Sequence, residues 1–162
     1  MRVLFAGSFH PPTEGHVDVI RTAASMFDGV IAAIMVNPNK KYTISAEERL
    51  SMLNRCLNGI PNAEAVIGTG LTAELALRLG AGALVRGVRT TADFEYELQM
   101  ADVNRKLYGI ETVLIPAKPH LGFVASSIVM DIARNGGSIA GFVPEIIEDD
   151  IAACIKREIK GE

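Results

Sequence analysis

Tryptophan is absent from this 162-residue chain, cysteine occurs twice and histidine three times. Cys56 and Cys154 stand far apart with neither a C-x-x-C nor a cysteine–histidine spacing beside them. That excludes a zinc ribbon, a dithiol redox motif and a disulfide framework, and predicts two reduced, buried thiols. Long apolar runs are missing too: none approaches the roughly 18 residues of a membrane span. The start of the chain has no basic-then-apolar signal segment, because VLFAG turns at once into a polar loop. A cytoplasmic protein with no membrane partner is expected. Basic charge is also short, with 16 Lys and Arg against 19 Asp and Glu and a net charge of -3. No nucleic-acid partner is expected, since bulk affinity needs clustered basic surface to displace counterions. Any anion must be caught locally. Neither G-x-x-x-x-G-K-[ST] nor G-x-S-x-G occurs, which removes a P-loop hydrolase and a serine-hydrolase elbow.

What is present is ordinary globular material: 49% hydrophobic and 22% charged residues, enough apolar content to bury a core. The length suits one domain spanning 1–162. Apolar, β-branched runs recur at 2–7 (RVLFAG), 30–36 (VIAAIMV), 63–68 (AEAVIG), 83–87 (ALVRG) and 112–115 (TVLI), each followed by a segment of helical period. Strands apolar on successive residues call for burial on both faces. The expected fold is α/β: a single-domain, Rossmann-like, doubly wound sheet of five parallel strands.

Helix starts are readable from their caps. Thr13 precedes a stripe of Val17, Ile20, Ala24 and Phe27, and Ser45 with Glu48 spells a capping box. Asp93 is placed as the cap of a long helix reaching about Leu107, and Ser126 as the opening of one stopped by Gly136 and Gly137. A last helix over roughly 145–159 presents Ile147, Ile151 and Ile155, expected to pack on the sheet.

In such a sheet ligands bind beyond the carboxyl ends of the strands, where the strand order reverses. The loops that matter are therefore 7–13, 37–43, 68–72, 86–92 and 116–125. In the first, Gly7 admits a close backbone approach, Ser8 adds a hydroxyl, and His16 falls in the first helical turn, where free N–H groups and the helix dipole favour an anion. The second brings Lys40 and Lys41, and the fourth Arg86 and Arg89. Together they predict a cationic pocket in an acidic protein. GTGLTA at 68–73 imitates a dinucleotide fingerprint, but it follows the third strand, and the next strand ends in Arg86 instead of an acidic residue for a ribose.

These residues form an ordered trio. AGSFHPPTEGH at 6–16, VRGVRTTADFEYELQMADVNRKL at 85–107 and GFVASSIVMDIAR at 122–134 resemble the three motifs of the phosphopantetheine adenylyltransferase family, within the nucleotidyltransferase superfamily. Thr13 stands where the superfamily H-x-G-H signature has its first histidine. The resemblance implies transfer of the adenylyl group of ATP to 4′-phosphopantetheine, giving 3′-dephospho-coenzyme A and pyrophosphate. It implies that His16, Lys40 and Arg89 are catalytic, and that Ser8, Lys40, Thr72 and Arg86 hold phosphopantetheine. ATP would meet Ser8, Phe9, His16, Gly87, Val88, Arg89 and Glu97, with the turn formed by Leu121, Gly122, Phe123, Val124, Ala125, Ser126 and Ser127. Mg2+ as cofactor, a homohexamer and coenzyme A as a feedback ligand are implied in the same way. The metal ligands are left open. Two departures from the family pattern stand out: His10 replaces an aspartate, and VASS replaces I-S-S-S, so Ala125 offers only backbone donors.

Overall fold

The computed structural model describes residues 1–161. Five strands form one sheet: β1 (Arg2–Gly7), β2 (Gly29–Met35), β3 (Ala63–Gly68), β4 (Ala83–Val88) and β5 (Glu111–Pro116). Every pairing is parallel and the order is β3-β2-β1-β4-β5. The chain steps outward from β1 through β2 to β3, then returns to the other side of β1 for β4 and β5. The reversal falls between β1 and β4.

Helices α1 (Glu14–Met26), α2 (Ala46–Cys56), α3 (Thr72–Arg78) and α4 (Thr91–Tyr108) make the crossovers. Beyond β5 come α5 (Ser126–Arg134) and α6 (Glu148–Lys160), the latter introduced by a 3-10 turn at Glu145–Ile147. The central strands are buried on both faces, so their successive apolar residues feed two different clusters. Val3, Phe5, Val30 and Ala32 pack beneath α1 and α2, while Leu4, Ala6, Ile31 and Ala33 pack beneath α3. Each buried aliphatic side chain contributes about 1.5–3 kcal/mol, which makes this register hard to slip.

Four local expectations are corrected. Thr90, not Asp93, caps α4: its hydroxyl accepts the Asp93 N–H at 3.1 Å, leaving the Asp93 carboxylate for Arg89. Ala125 occupies the cap of α5, and the Ser126 hydroxyl instead donates to the Pro11 carbonyl at 2.8 Å. The second strand runs one residue earlier than 30–36, because Gly29 pairs with Arg2. Finally, Ile147, Ile151 and Ile155 do not reach the sheet. They pack with Met52 and Cys56 of α2 and Val129 and Met130 of α5 in a third cluster, made where α6 closes over two helices.

Candidate functional site

The sheet opens where the topology turns. Pairing between β1 and β4 runs from Val3 with Ala83 to Phe5 with Val85 and stops. β1 continues against β2 as far as Gly7, and β4 against β5 as far as Val88. Ala6, Gly7, Arg86 and Gly87 are thus left facing a gap. A cleft of about 390 Å³ occupies it, lined among others by Ser8, His16, Arg86, Arg89 and Glu97. This is the crevice that a reversal of strand order creates in an open parallel sheet.

The first turn of α1 is built around its histidine. The Thr13 hydroxyl accepts the His16 backbone N–H at 3.3 Å, and the His16 Nδ1 accepts the Thr13 backbone N–H at 3.0 Å. This is a capping box in which an imidazole takes the place usually held by a glutamate. Because Nδ1 accepts, the neutral ring carries its hydrogen on Nε2, the nitrogen left for the cleft. Burial, reinforced by the Arg89 and Arg86 charges, lowers its pKa from 6.5 to about 4. The imidazole is therefore neutral at physiological pH, with its Nε2–H available to donate into the cleft.

Phe9 holds that ring in place. It is buried, its centroid lies 4.7 Å from His16, and it sits at φ 46°, a left-handed conformation costly for a bulky residue. Its side chain is core, so only its backbone can face a ligand.

The two arginines reach the cleft already braced. Arg86 donates from Nε and Nη2 to the two Glu97 oxygens at 2.9 and 2.6 Å, and from Nη1 to the Ala6 carbonyl at 2.6 Å. Arg89 donates from Nε to Asp93 at 3.1 Å and from Nη1 to the Val124 carbonyl at 3.2 Å. Each guanidinium is aimed by a carboxylate, and the cleft is less positive than four unpaired cations would make it. Both carboxylates are committed to arginines, and among the described residues no group of three or more His, Cys, Asp or Glu could cage a metal.

Lys40 stands outside this cleft. It lines a second cavity, about 530 Å³, with Ser8, His10, Lys41, Ser126 and Ser127; the three serines border both spaces. Of the turn at 121–127, Leu121, Val124, Ala125, Ser126 and Ser127 line the cleft. Gly122, Phe123 and Val88 line neither cavity, and Phe123 is 60% exposed. Thr72 opens α3 beyond β3 and lines neither cavity.

Two buried charged side chains were missed. Arg49, 1% exposed, donates from Nη1 to the Ser8 carbonyl at 2.6 Å and lies 4.2 Å over the Tyr42 ring. Asp18, also buried, is paired with Lys118, tying α1 to the loop after β5. Arg49 was detectable: with Met52, Leu53 and Cys56 it occupies one helical face, so an arginine heads an apolar stripe.

Residues 4–132 match the family model described as cytidylyltransferase-like, so sheet, cleft and sequence place the chain among the nucleotidyltransferases. The fold is shared with a protein from Vibrio parahaemolyticus described as a nicotinate-nucleotide adenylyltransferase, at a TM-score of 0.68 over 97% of this chain and 95% of that one, with 15% identity. A curated relative from Caldanaerobacter subterraneus subsp. tengcongensis is 40% identical over 97% of this chain and 99% of its own length. Another, from Desulfatibacillum aliphaticivorans, is 44% identical over 94% of this chain and 88% of its own. Both relatives are named phosphopantetheine adenylyltransferase. The chain belongs to the phosphopantetheine adenylyltransferase family.

Proposed function

We propose that the crevice between β1 and β4 joins ATP to 4′-phosphopantetheine. An oxygen of the acceptor phosphate attacks the α-phosphorus of ATP, the bond from that phosphorus to the bridging oxygen breaks, and pyrophosphate leaves with the electron pair. The product is 3′-dephospho-coenzyme A. A phosphate is already anionic at neutral pH, so no general base is needed. The work consists of bringing two polyanions into line and spreading charge at the α-phosphorus and the departing group.

The observation that carries this reading is the single rim formed by the start of α1 at Gly15, the His16 Nε2–H, Arg86 and Arg89; the neighbouring Glu14 and His16 N–H groups are already bonded to Phe142 and Thr13. The helix terminus and the imidazole are dipolar donors for an oxyanion. Arg86 uses three of its five N–H groups on Glu97 and Ala6, and keeps two for a phosphate. Glu97 acts on the substrate through Arg86. Ser8, shared by both cavities, is read as the meeting point of nucleotide and acceptor phosphates, with Lys40 drawing the acceptor from the second cavity. Gly87 contributes backbone to the nucleotide side, and Leu121 with Val124, Ala125, Ser126 and Ser127 covers it; Phe9, Val88, Gly122 and Phe123 are carried to that side by the family resemblance alone. Thr72 joins the acceptor site only if the pantetheine arm extends toward β3.

Magnesium is read as entering with the triphosphate, whose charge it shields, because the donor set provides no protein cage. Residues 1–162 are read as one domain working in the cytoplasm, and no helix among those described is long and apolar enough to cross a membrane. Self-association, read by family resemblance as a hexamer, is supported by α4, which buries only Glu97 and Ala101 and leaves Phe94, Tyr96, Leu98, Val103 and Leu107 exposed. Coenzyme A, which shares the pantetheine arm, is the expected feedback ligand. The test is to mix purified protein with ATP, magnesium and phosphopantetheine. Dephospho-coenzyme A detected by mass supports the reading; its absence, with ATP still bound, indicates a nucleotide sensor.

A further inference from the structure

Between the cleft and α6, the loop carrying Lys40 is fastened to the turn carrying Ser8 by an arrangement that the transfer chemistry does not itself require. The His10 Nε2 accepts the Ile44 backbone N–H at 3.2 Å. The His10 ring stands edge-on to Tyr42, with centroids 5.2 Å apart and planes at 79°. Tyr42 also lies against the buried Arg49 guanidinium, which donates from Nη1 to the Ser8 carbonyl and from Nε to the Ser45 carbonyl at 3.2 Å. Two groups from separate elements therefore bind the same two loops. His10 reaches from the phosphate turn to the far loop, and Arg49, on α2, joins Ser8 to Ser45.

The chemistry of each group suits a fixed spacer. An arginine buried without a carboxylate is costly to desolvate, and here two carbonyls and an aromatic face offset that cost. Tyr42 and Ser45 lie at the base of the loop that presents Lys40, and Ser8 lies on the turn after β1, so the buried arginine bridges the two. A further anchor acts on the outer side: Arg134 and Glu158 hold the Thr43 hydroxyl at 2.8 and 2.6 Å. The loop's base is pinned from within and without, while Lys40 and Lys41 remain exposed.

We propose that His10 and Arg49 are positioning residues that clasp the Lys40 loop to the Ser8 turn and so set the distance between the acceptor's cation and the site of transfer. The proposal rests on the adenylyl-transfer reading for its kinetic consequence, but its structural consequence can be read without turnover. His10 borders the acceptor cavity beside Lys40, but its Nε2 is spent on the Ile44 N–H, so in this scheme it acts on the acceptor through Ile44 and the Lys40 loop.

Three substitutions separate the clasp from simple loss of structure. His10→Gln carries an amide oxygen close to where Nε2 sits, His10→Asn keeps polarity but falls short of Ile44, and His10→Leu removes the acceptor. Hydrogen–deuterium exchange of the segment 37–45 should be near wild type in His10→Gln and markedly faster in His10→Asn and His10→Leu. In steady-state assays, the latter two should raise KM for phosphopantetheine about tenfold, the scale of one lost buried hydrogen bond, with KM for ATP within twofold and recovery in His10→Gln. If exchange and acceptor KM are the same in all three variants as in wild type, the clasp is wrong. A parallel rise in both KM values, or a Gln variant as impaired as Leu, assigns His10 a general structural role and overturns the proposal as well. The expected exchange pattern across the variants, together with a wild-type protein that makes no dephospho-coenzyme A, sinks the adenylyl-transfer reading alone.

Discussion

Arg86, in the carboxyl-terminal half of the inner strand β4, and Glu97, on the second turn of the following helix, meet in a two-point ion pair with N–O distances of 2.9 and 2.6 Å. The glutamate side chain is 9% exposed and the arginine 31%, so the pair is sheltered on one side and open to the cleft on the other. The strand fixes where the guanidinium begins and the helix fixes where it points.

Glu97→Gln keeps the shape but exchanges a charge-assisted fork for a weaker bond. Stability should fall by about 2 kcal/mol, read as a drop in Tm of roughly 4–8 °C. Affinity for phosphopantetheine should fall with it, because Arg86 loses its aim. Calorimetry showing unchanged acceptor affinity would refute the bracing role.

His16→Ala removes the Nε2–H donor and half of the capping box. Turnover should fall about a hundredfold or more, the scale of one preorganised transition-state donor, with phosphopantetheine affinity nearly intact. Single-turnover rates and acceptor titrations check the two parts separately. Near-normal turnover rules out the role.

Lys40→Ala should weaken phosphopantetheine binding and spare ATP, because the lysine borders the second cavity and not the cleft. Isothermal titration with each substrate makes the comparison. Equal losses for both would mean that the loop closes over the nucleotide as well.

Acid should destabilise the fold before most carboxylates titrate. His10 and His16 are both lowered from 6.5 to about 4, each chiefly by burial, with Arg49 and Arg134 acting on His10 and Arg89 and Arg86 on His16. The unfolded chain therefore binds more protons than the folded one between those values. Stability is full above 6.5 and is lost as pH falls toward 4. Glu158, lowered to about 2 by Arg134 and Thr43, acts in a later window, keeping its contribution above 4.5 and losing it toward 2. Tm measured from pH 7 to 4.5 should decline, with a shallower slope in His10→Gln. A flat Tm over that range contradicts the two neutral histidines.

Much of the fold was legible because its signals are local. Runs such as VIAAIMV can be satisfied only by burial on both faces, and Ser45 with Glu48 forms the box their spacing spells, at 2.9 and 3.1 Å. The cleft's principal groups were legible too, since parallel strands deliver Ser8, Arg86 and Arg89 to one edge. Caps were less so: Thr90 and Asp93 both have the chemistry to open α4, and only backbone geometry chose between them.

The sequence by itself determined the strands, the helix stripes and which loops would gather at the carboxyl edge, because hydrophobic period and turn chemistry act over a few residues. Tertiary structure alone decided that pairing of β1 with β4 ends at Phe5 and Val85, that the arginines arrive braced, that Lys40 faces a neighbouring cavity, and that Arg49 is buried beneath Ser8. Those outcomes depend on contacts between segments dozens of residues apart, whose energies exist only once the sheet has closed and water has left the space between them.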